Sequence, residues 1–416
     1  SDESGIQIRS YANKFNQKEI DLSDESVIEE TRQVVTQAVH SRLLSDVPIG
    51  SFLSSGLDST IVATLASQKL EELNTFCIAF EDLSDPYHGR TDESEAAMEH
   101  AERIGSKHHV IRVTGDDFRR DLTTFCKYGD QPFAVSSGLG ILSIARAAHE
   151  AGIKVLLTGD GADECFGGYS WYPYLNKPDN FSGVFRNFEN EEPISFQNFG
   201  KSLRERLQII HSYPSINRAW AWHYYAAESE KVALFNTDVF ENVQSSLRYF
   251  QNFKGNENWS AEDYIRQDRE FYFPFEMLRK VDRMTMAFSV EGRVPFAAPS
   301  VLSHADKLKY HHLIKDGTLK WVLRRAFSDI IPEKVINRSK HGFNVPIDHW
   351  LRGEWSDLIE ETFGIETALF KLGLIHVKSY EIAKKMIMDD NRLNGHTIFC
   401  FIMLNIWLEH QFGNHC

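Results

Sequence analysis

The sequence predicts an α/β fold, a parallel sheet flanked by helices, with a mostly helical C-terminal extension. Short apolar runs alternate with amphipathic helical segments as far as residue 170. Turns rich in small residues follow the runs that end at Leu53 and Leu157, where ligands bind in parallel sheets. After Tyr169 the pattern changes to long amphipathic segments with many aromatic residues.

The N-terminal half contains a signal for each predicted element. A helix is predicted from Ser26, because Ser26 and Glu29 have capping-box spacing and apolar pairs recur on one helical face. The predicted strands are 47–53, 75–80, 109–113 and 154–158. The helices predicted between and around them are 60–70, 93–104 and 139–151. The chain therefore divides into a linker-like segment, an α/β core and a mostly helical remainder: 1–25, 26–170 and 171–416.

Composition and charge exclude several classes of protein. The 416 residues carry a net charge of −14, which argues against nucleic acid as a partner. There is no run of 18 apolar residues and no signal-peptide pattern, so no membrane partner is expected. The five cysteines form no CxxC pair, which favours a cytoplasmic location over a disulfide framework or a zinc site.

The first turn of interest is Ser54-Ser-Gly-Leu-Asp-Ser59, between a predicted strand and a predicted helix. Backbone N–H groups at a helix start attract anions, and the hydroxyls of Ser54 and Ser59 add donors. Asp58 is unsuited to direct phosphate contact but suited to a Mg²⁺ ion bound to phosphate. The alternative is a serine-rich turn that only caps a helix.

The second turn is Thr158-Gly-Asp-Gly-Ala-Asp-Glu-Cys-Phe-Gly-Gly-Tyr169, again after a buried strand. The glycines on either side of Asp160 allow a ligand to approach the backbone closely. Asp163 is a candidate second metal ligand that faces Asp58. The alternative is an ordinary surface turn rich in glycine and aspartate.

Together, these two turns resemble the pyrophosphate loop and the signature run of the asparagine synthetase family. The resemblance extends to four further runs, which follow in family order: 92–95, 280–296, 319–324 and 338–346. It implies a pyrophosphate-loop fold of the adenine-nucleotide α-hydrolase-like type, with 26–170 as the ATP-pyrophosphatase core.

The same resemblance implies an ATP-dependent, amide-forming ligase with ATP and Mg²⁺ as cofactors. A substrate carboxylate would attack the α-phosphorus to give an acyl-adenylate and pyrophosphate, and ammonia would then displace AMP. The residues implied to bind ATP and pyrophosphate are Ser54, Ser55, Gly56, Asp58, Ser59, Ile78 and Gly159. The implied metal ligands are Asp58 and Asp163, and the implied catalytic residues are Lys340, Asp160 and Glu164.

The acceptor pocket departs from that of aspartate-using family members. Those members carry a Thr-Thr-x-Arg-Ala-Ser run whose arginine can pair with a carboxylate, whereas 131–145 contains no charged residue here. Ser136, Ser137 and Asp163 are therefore the candidate substrate-binding residues. The missing cation favours an acid larger or less charged than aspartate, such as a uronic acid or a peptide carboxylate, while the resemblance still favours aspartate as the single named substrate.

Two loop positions also depart from the family pattern. Asp160 stands where asparagine synthetases have Glu and β-lactam synthetases have Tyr. A carboxylate suits deprotonation of an incoming ammonium ion, which disfavours the lactam type. Ser55 replaces the first glycine of the loop, which matters if that position needs a positive φ.

Four charged residues in the run 280–296 are predicted to lie inside an otherwise apolar helix. They either line the active site or form a buried ion-pair network, and the structural role is favoured for Arg283 and Arg293. The four are Asp282, Arg283, Glu291 and Arg293.

The amino-terminal glutaminase domain usual in the family is not recognisable in this sequence. Ammonia would come from glutamine through a separate glutaminase domain or subunit, from solution, or through a domain that was removed. Family members often dimerise, so a homodimer is an open expectation. Two alternative functions also stay open: an intramolecular lactam or peptide cyclase of the same family, and a non-catalytic nucleotide-binding scaffold.

Overall fold

A five-stranded, all-parallel sheet forms the centre of the computed structural model, in the order β3-β2-β1-β4-β5. The structure describes residues 23–81, 94–169, 171–172, 228–242, 259–338, 345–388 and 395–412, together with 215, 216, 218 and 226. The strands are β1 Ile49–Phe52, β2 Asn74–Phe80, β3 Lys107–Val113, β4 Val155–Leu157 and β5 Glu291–Arg293. The predicted parallel α/β sheet is confirmed.

Helices alternate with the first four strands. They are α1 Asp24–Ser41, α2 Leu57–Ser67, α3 Ser94–Ile104, α4 Gly115–Gly129, α5 Ser137–Glu150 and α6 Ala162–Phe166. Helix α1 begins earlier than predicted, because Ser23 is its cap and accepts a hydrogen bond from the backbone of Ser26 at 3.4 Å. Helix α4 is additional to the predicted elements, and a capping box between Thr114 and Asp117 starts it.

The described residues beyond 170 are mostly helical, as predicted. Asp282 and Arg283 lie in a helix, also as predicted. A π-helix spans Asp268–Leu278 and a 3₁₀ turn spans Pro295–Ala297. The α-helices are α7 Glu228–Leu234, α8 Thr237–Glu241, α9 Ala261–Gln267, α10 Arg279–Met286, α11 Pro299–Ala305, α12 Tyr310–Leu313, α13 Trp321–Ala326, α14 Glu333–Ile336, α15 Ile347–Arg352, α16 Leu358–Phe363, α17 Ala368–Lys371, α18 Ser379–Met388 and α19 Gly395–Phe412. Within this described part, no helix combines the length and the apolar character needed to cross a membrane.

Different helices cover the two faces of the sheet. Val155 and Leu157 are buried in one cluster with residues of α1, α2 and α3. Leu156 is buried in another cluster, with Phe76 and with Ile144 of α5. Because successive side chains of a strand point to opposite faces, three-residue β4 packs against both layers, and the sheet edge that carries both turns is fixed between them.

The fifth strand comes from the C-terminal half of the chain. Glu291 pairs with Val155 in parallel register, so β5 joins a sheet whose other strands all precede residue 170. The interpretation of Glu291 and Arg293 as helical residues is wrong. Helix α10 ends before them, and Ser289, with a φ of 56°, turns the chain into the strand.

Arg293 fastens β5 to the segment that follows α1. Its Nη1 donates hydrogen bonds to the carbonyl oxygens of Arg42 at 2.6 Å and Leu44 at 2.9 Å, and its Nε donates to Glu291 at 2.8 Å. These contacts confirm the structural role favoured for Arg293. Arg283 makes a single longer contact, 3.6 Å from Asp130.

Candidate active site

A cavity of about 370 Å³ lies at the carboxyl edge of the sheet, between the two turns, β2, α5 and the start of α13. Most of the predicted site residues line it: Ser54, Ser55, Gly56, Asp58, Ser59, Ile78, Ser137, Gly159, Asp160 and Asp163. Ser136 and Glu164 are buried outside this lining. Lys340 falls outside the described residues, so its catalytic role stays a prediction.

The first turn is held together by its own hydroxyl groups. The backbone nitrogen of Ser54 donates to Ser59 Oγ at 3.0 Å, and the two Oγ atoms lie 2.9 Å apart. The backbone nitrogen of Gly56 donates to Ser54 Oγ at 3.1 Å. Ser55 is not among the described residues that have a positive φ, so serine in place of glycine strains nothing in this loop.

The second turn lies directly against the first. A Cβ atom on Gly159 would be 2.7 Å from the backbone nitrogen of Ser59 and 2.9 Å from Asp58 Cβ. Gly161 has a φ of 93°, and a Cβ there would be 2.5 Å from Phe273. Glycine is therefore required at both positions, at Gly159 by proximity and at Gly161 also by backbone conformation.

Lys320, which precedes α13, joins the two turns and was missed in the sequence analysis. Its Nζ lies 2.6 Å from Asp58 Oδ2 and 2.7 Å from Asp163 Oδ1, and only 3% of its surface is exposed. The other oxygen of Asp58, Oδ1, is buried and has no hydrogen-bond partner among the described residues. The two carboxylates therefore converge on one cation position, and the metal-ligand role predicted for Asp58 and Asp163 stays a prediction. Lys320 belongs to the run 319–324 that carries the family resemblance, but no local pattern assigns it a role.

Lys280 of α10 is a second buried lysine that lines the cavity. Its Nζ lies 3.5 Å from Asp160 Oδ1 and 3.4 Å from Met277 Sδ. The lysine is 7% exposed, and its stem packs next to Gly138 of α5, where a Cβ would be 3.4 Å from Lys280 Cγ. Burial raises the pKa of nearby Glu276 to about 7, although Lys280 opposes the shift. The stretch 131–145 contains no charged residue, whereas Lys280, from a distant part of the chain, places a cation in the cavity.

Glu164 lies behind the cavity wall. Tyr169, which lines the cavity, donates a hydrogen bond from its hydroxyl to Glu164 Oε1 at 2.6 Å. Burial, together with the neighbouring Asp163 carboxylate, raises the pKa of Glu164 to about 8. A second pair is similar: Tyr172 donates to Asp268 Oδ2 at 2.8 Å, and burial raises the pKa of Asp268 to about 7. The catalytic role predicted for Glu164 therefore stays a prediction; Tyr169 and the Asp163 carboxylate connect Glu164 with the cavity.

The family model for asparagine synthase matches residues 30–409. This chain belongs to the asparagine synthase family. Asparagine synthetase [glutamine-hydrolyzing] 1 of Bacillus subtilis is 30% identical over 354 residues, which cover 83% of this chain and 54% of the relative. A putative glutamine-hydrolyzing asparagine synthetase of Mycobacterium bovis is 32% identical over 351 residues, 80% of this chain and 51% of the relative. The amidase chry2 of Gibberella zeae is 24% identical over 399 residues, 84% of this chain and 57% of the relative.

Membership in the asparagine synthase family confirms the resemblance noted in the sequence. The matched residues contain both turns and Lys320, which are the parts that meet at the cavity. This chain spans about half the length of the curated relatives that it matches.

A second group of candidate metal ligands lies at the start of α1 and in α12, and it fits an ion-pair cluster better than a metal centre. Among the described residues, Asp24, His311 and His312 bring ligand atoms within 4.8 Å of one another. Lys315 already binds Asp24. The backbone nitrogen of Lys309 donates to His312 Nδ1 at 3.2 Å, so neutral His312 carries its proton on Nε2, the atom that a metal would need.

Proposed function

We propose that this chain is the ATP-using part of an amide-forming ligase that activates a carboxylic acid by adenylation. The observation that carries the proposal is the meeting of Asp58, Asp163 and Lys320, at 2.6 and 2.7 Å, beside the start of α2. A helix start with hydroxyl groups and a cation position suits a polyphosphate. The family supports the use of ATP for amide formation.

The carboxylates of Asp58 and Asp163 fit a magnesium ion. Hard oxygen ligands are what Mg²⁺ prefers, and the buried, unpartnered Oδ1 of Asp58 leaves ligand capacity beside the lysine. Bound there, Mg²⁺ would supply neutralisation of the phosphate charge.

The chain's own residues would then bind and orient the nucleotide. Ser54 and Ser59 offer hydroxyls to the departing pyrophosphate, and the backbone around Ile78 in β2 would hold the adenine ring. One carboxylate oxygen of the substrate would attack the α-phosphorus, and the bond from that phosphorus to the pyrophosphate oxygen would break. Lys340 is the further cation that the resemblance implies beside the phosphates.

Asp160 and Lys280 would serve the second half-reaction and the acceptor. Ammonia would attack the acyl carbon, AMP would leave with the former carboxylate oxygen, and Asp160 would accept the proton lost from nitrogen. Lys280 would pair with a second carboxylate on the substrate. This pairing favours aspartate over a uronic acid, which has one carboxylate only, and so revises the expectation drawn from 131–145.

The nitrogen would come from glutamine through a glutaminase unit outside this chain's described residues. Two of the relatives are named as glutamine-hydrolyzing, and this chain spans about half of their length. Free ammonia is the source to use in a test, because it does not depend on that unit.

ATP–pyrophosphate exchange in the presence of Mg²⁺ tests the proposal. The acids offered are aspartate, uronic acids and short peptide acids, with Asp58→Asn as the variant and Asp329→Asn, in a surface ion pair with Arg32, as the control. We expect exchange that depends on one acid, falls at least about a hundredfold in Asp58→Asn and is unchanged in the control. ATP binding without exchange for any acid would instead support the scaffold alternative. AMP release without added ammonia, with a cyclic product, would support the cyclase.

A further inference from the structure

We propose that Lys320 and the divalent metal compete for the same two carboxylates. In the nucleotide-free state Lys320 holds Asp58 and Asp163 together, and on binding of the metal–nucleotide its ammonium moves to the phosphates. The inference rests on the proposed function, because it requires a metal–phosphate ligand at this site.

The ammonium of Lys320 occupies the position that a metal bridging Asp58 and Asp163 would take. Lys320 Nζ makes direct, charge-assisted contacts with one oxygen of Asp58 and one of Asp163. Mg²⁺ binds carboxylate oxygens at about 2.0–2.1 Å in a strict octahedron. A metal seated between the two residues would therefore displace the ammonium from at least one of them.

The backbone conformation at Lys320 helps to place its ammonium between Asp58 and Asp163. Its φ is 54°, a left-handed conformation that is strained for a residue with a Cβ and that clusters at functional sites. Gly168 is equally specific, because a Cβ there would overlap both Lys320 Cε and Asp163 Oδ1. The left-handed backbone of Lys320 and the missing side chain of Gly168 both allow the ammonium of Lys320 to lie between the two carboxylates.

Charge explains why the lysine would give way. One ammonium leaves the two carboxylates with a net negative charge, whereas a divalent ion balances them. Phosphates arriving with the metal give the ammonium a new anionic partner, and the flexible stem of lysine can follow. Arg324 lines the same cavity, but its guanidinium donates to the carbonyl oxygens of Leu319, Ile336 and Arg338, so it is held in place.

Binding of Mn²⁺, followed by electron paramagnetic resonance without nucleotide, tests the competition. The variant is Lys320→Met, and the matched control is Lys280→Met, which removes the other buried lysine of the cavity without touching Asp58 or Asp163. We expect Lys320→Met to bind Mn²⁺ about tenfold more tightly and pyrophosphate about tenfold more weakly than the native chain. The control should leave Mn²⁺ affinity unchanged. Loss of one positive charge alone would act in these directions in both variants, so equal changes in Lys320→Met and Lys280→Met would overturn the competition.

A second measurement uses the native chain, in case the variant does not fold. Reductive methylation read by mass spectrometry should label Lys320 slowly without metal and several-fold faster with saturating Mn²⁺ and no nucleotide, while labelling of Lys280 stays constant. Unchanged labelling of Lys320 with Mn²⁺ demonstrably bound, or unchanged Mn²⁺ affinity in a folded Lys320→Met chain, overturns the proposal. Neither readout needs turnover, so absence of pyrophosphate exchange would count against the proposed function alone.

Discussion

Gly159 packs so closely against Ser59 that a single added carbon atom would lie 2.7 Å from the Ser59 backbone nitrogen. The turn that carries Asp163 thus rests on the backbone of the turn that carries Asp58. The separation of the two carboxylates is therefore set by backbone contact and by Lys320 together.

Gly159→Ala should separate the two turns and weaken ATP binding by at least about tenfold. Carbon contacts below 3.0 Å force the backbone to move, and here both neighbours are backbone or Cβ atoms. Isothermal titration with ATP measures the effect. Gly353→Ala is the control, because its new Cβ would meet only ordinary contacts at 3.6 and 4.0 Å. Native ATP affinity in a folded Gly159→Ala chain would contradict the assignment of this contact.

Lys280→Met should raise the KM for the acid about 10- to 100-fold and leave the Kd for ATP unchanged. The physical reason is loss of the buried cation that would pair with the second carboxylate of the substrate. Steady-state kinetics with the acid identified by exchange, beside direct ATP binding, measures both quantities. Lys280→Arg should restore part of the affinity. A fall in kcat at constant KM would show instead that Lys280 acts by positioning Asp160.

Arg293→Ala should lower the free energy of unfolding by about 1–3 kcal/mol, because it removes the donors that bind two backbone carbonyls and Glu291. Urea denaturation provides the measurement. Arg283→Ala is the matched control, since Arg283 has one contact at 3.6 Å and a side chain that is 40% exposed; its effect should be within about 0.5 kcal/mol. Equal losses in the two variants would show that Arg293 does not fasten β5.

Asp268→Asn should flatten the pH dependence of stability. Burial raises the pKa of Asp268 from 3.8 to about 7 in the folded chain, so between pH 4 and 7 the folded state holds a proton that the unfolded state has lost. The free energy of unfolding therefore falls as pH rises across this window, by at most about 1.4 kcal/mol per pH unit from this group. Asparagine keeps an acceptor for the Tyr172 hydroxyl but cannot ionise. Thermal denaturation from pH 4.5 to 8 should show the variant gaining on the native chain as pH rises, and parallel profiles would refute the assignment.

The strands that sequence could predict are those with apolar runs of their own. Strands β1 and β4 lie within the predicted segments and β2 begins one residue before its own, because the residues of these strands are mostly buried on both faces. Strand β5 has the sequence Glu291-Gly-Arg293, and its extended form depends on pairing with β4. Helix α4 is a different case, since Phe118, Leu122 and Phe125 have helical spacing and the signal was overlooked.

The residues of the candidate site also differ in how far the sequence could predict them. The two turns can be predicted locally, because small residues follow buried strands, and both turns line one cavity in the structure. Lys320 and Lys280 give no such signal, because a lysine becomes a buried cation only through contacts with residues more than 100 positions away. The expectation about the acceptor pocket was drawn from 131–145 alone, and that stretch does not show that Lys280 of α10 brings a cation into the same cavity.

While the chain is being synthesised, β4 is complete long before its outer neighbour exists. Residue 157 leaves the ribosome first, and the strand that pairs with the free side of β4 ends only at residue 293. Translation proceeds at about 5–20 residues per second, so one side of the apolar strand β4 stays unpaired in the nascent chain for on the order of ten seconds. Open edges recruit other strands. Because β5, Glu291–Arg293, comes so late in the sequence, we expect chaperones to bind the nascent chain during this interval. We also expect chains that are cut between β4 and β5 to aggregate.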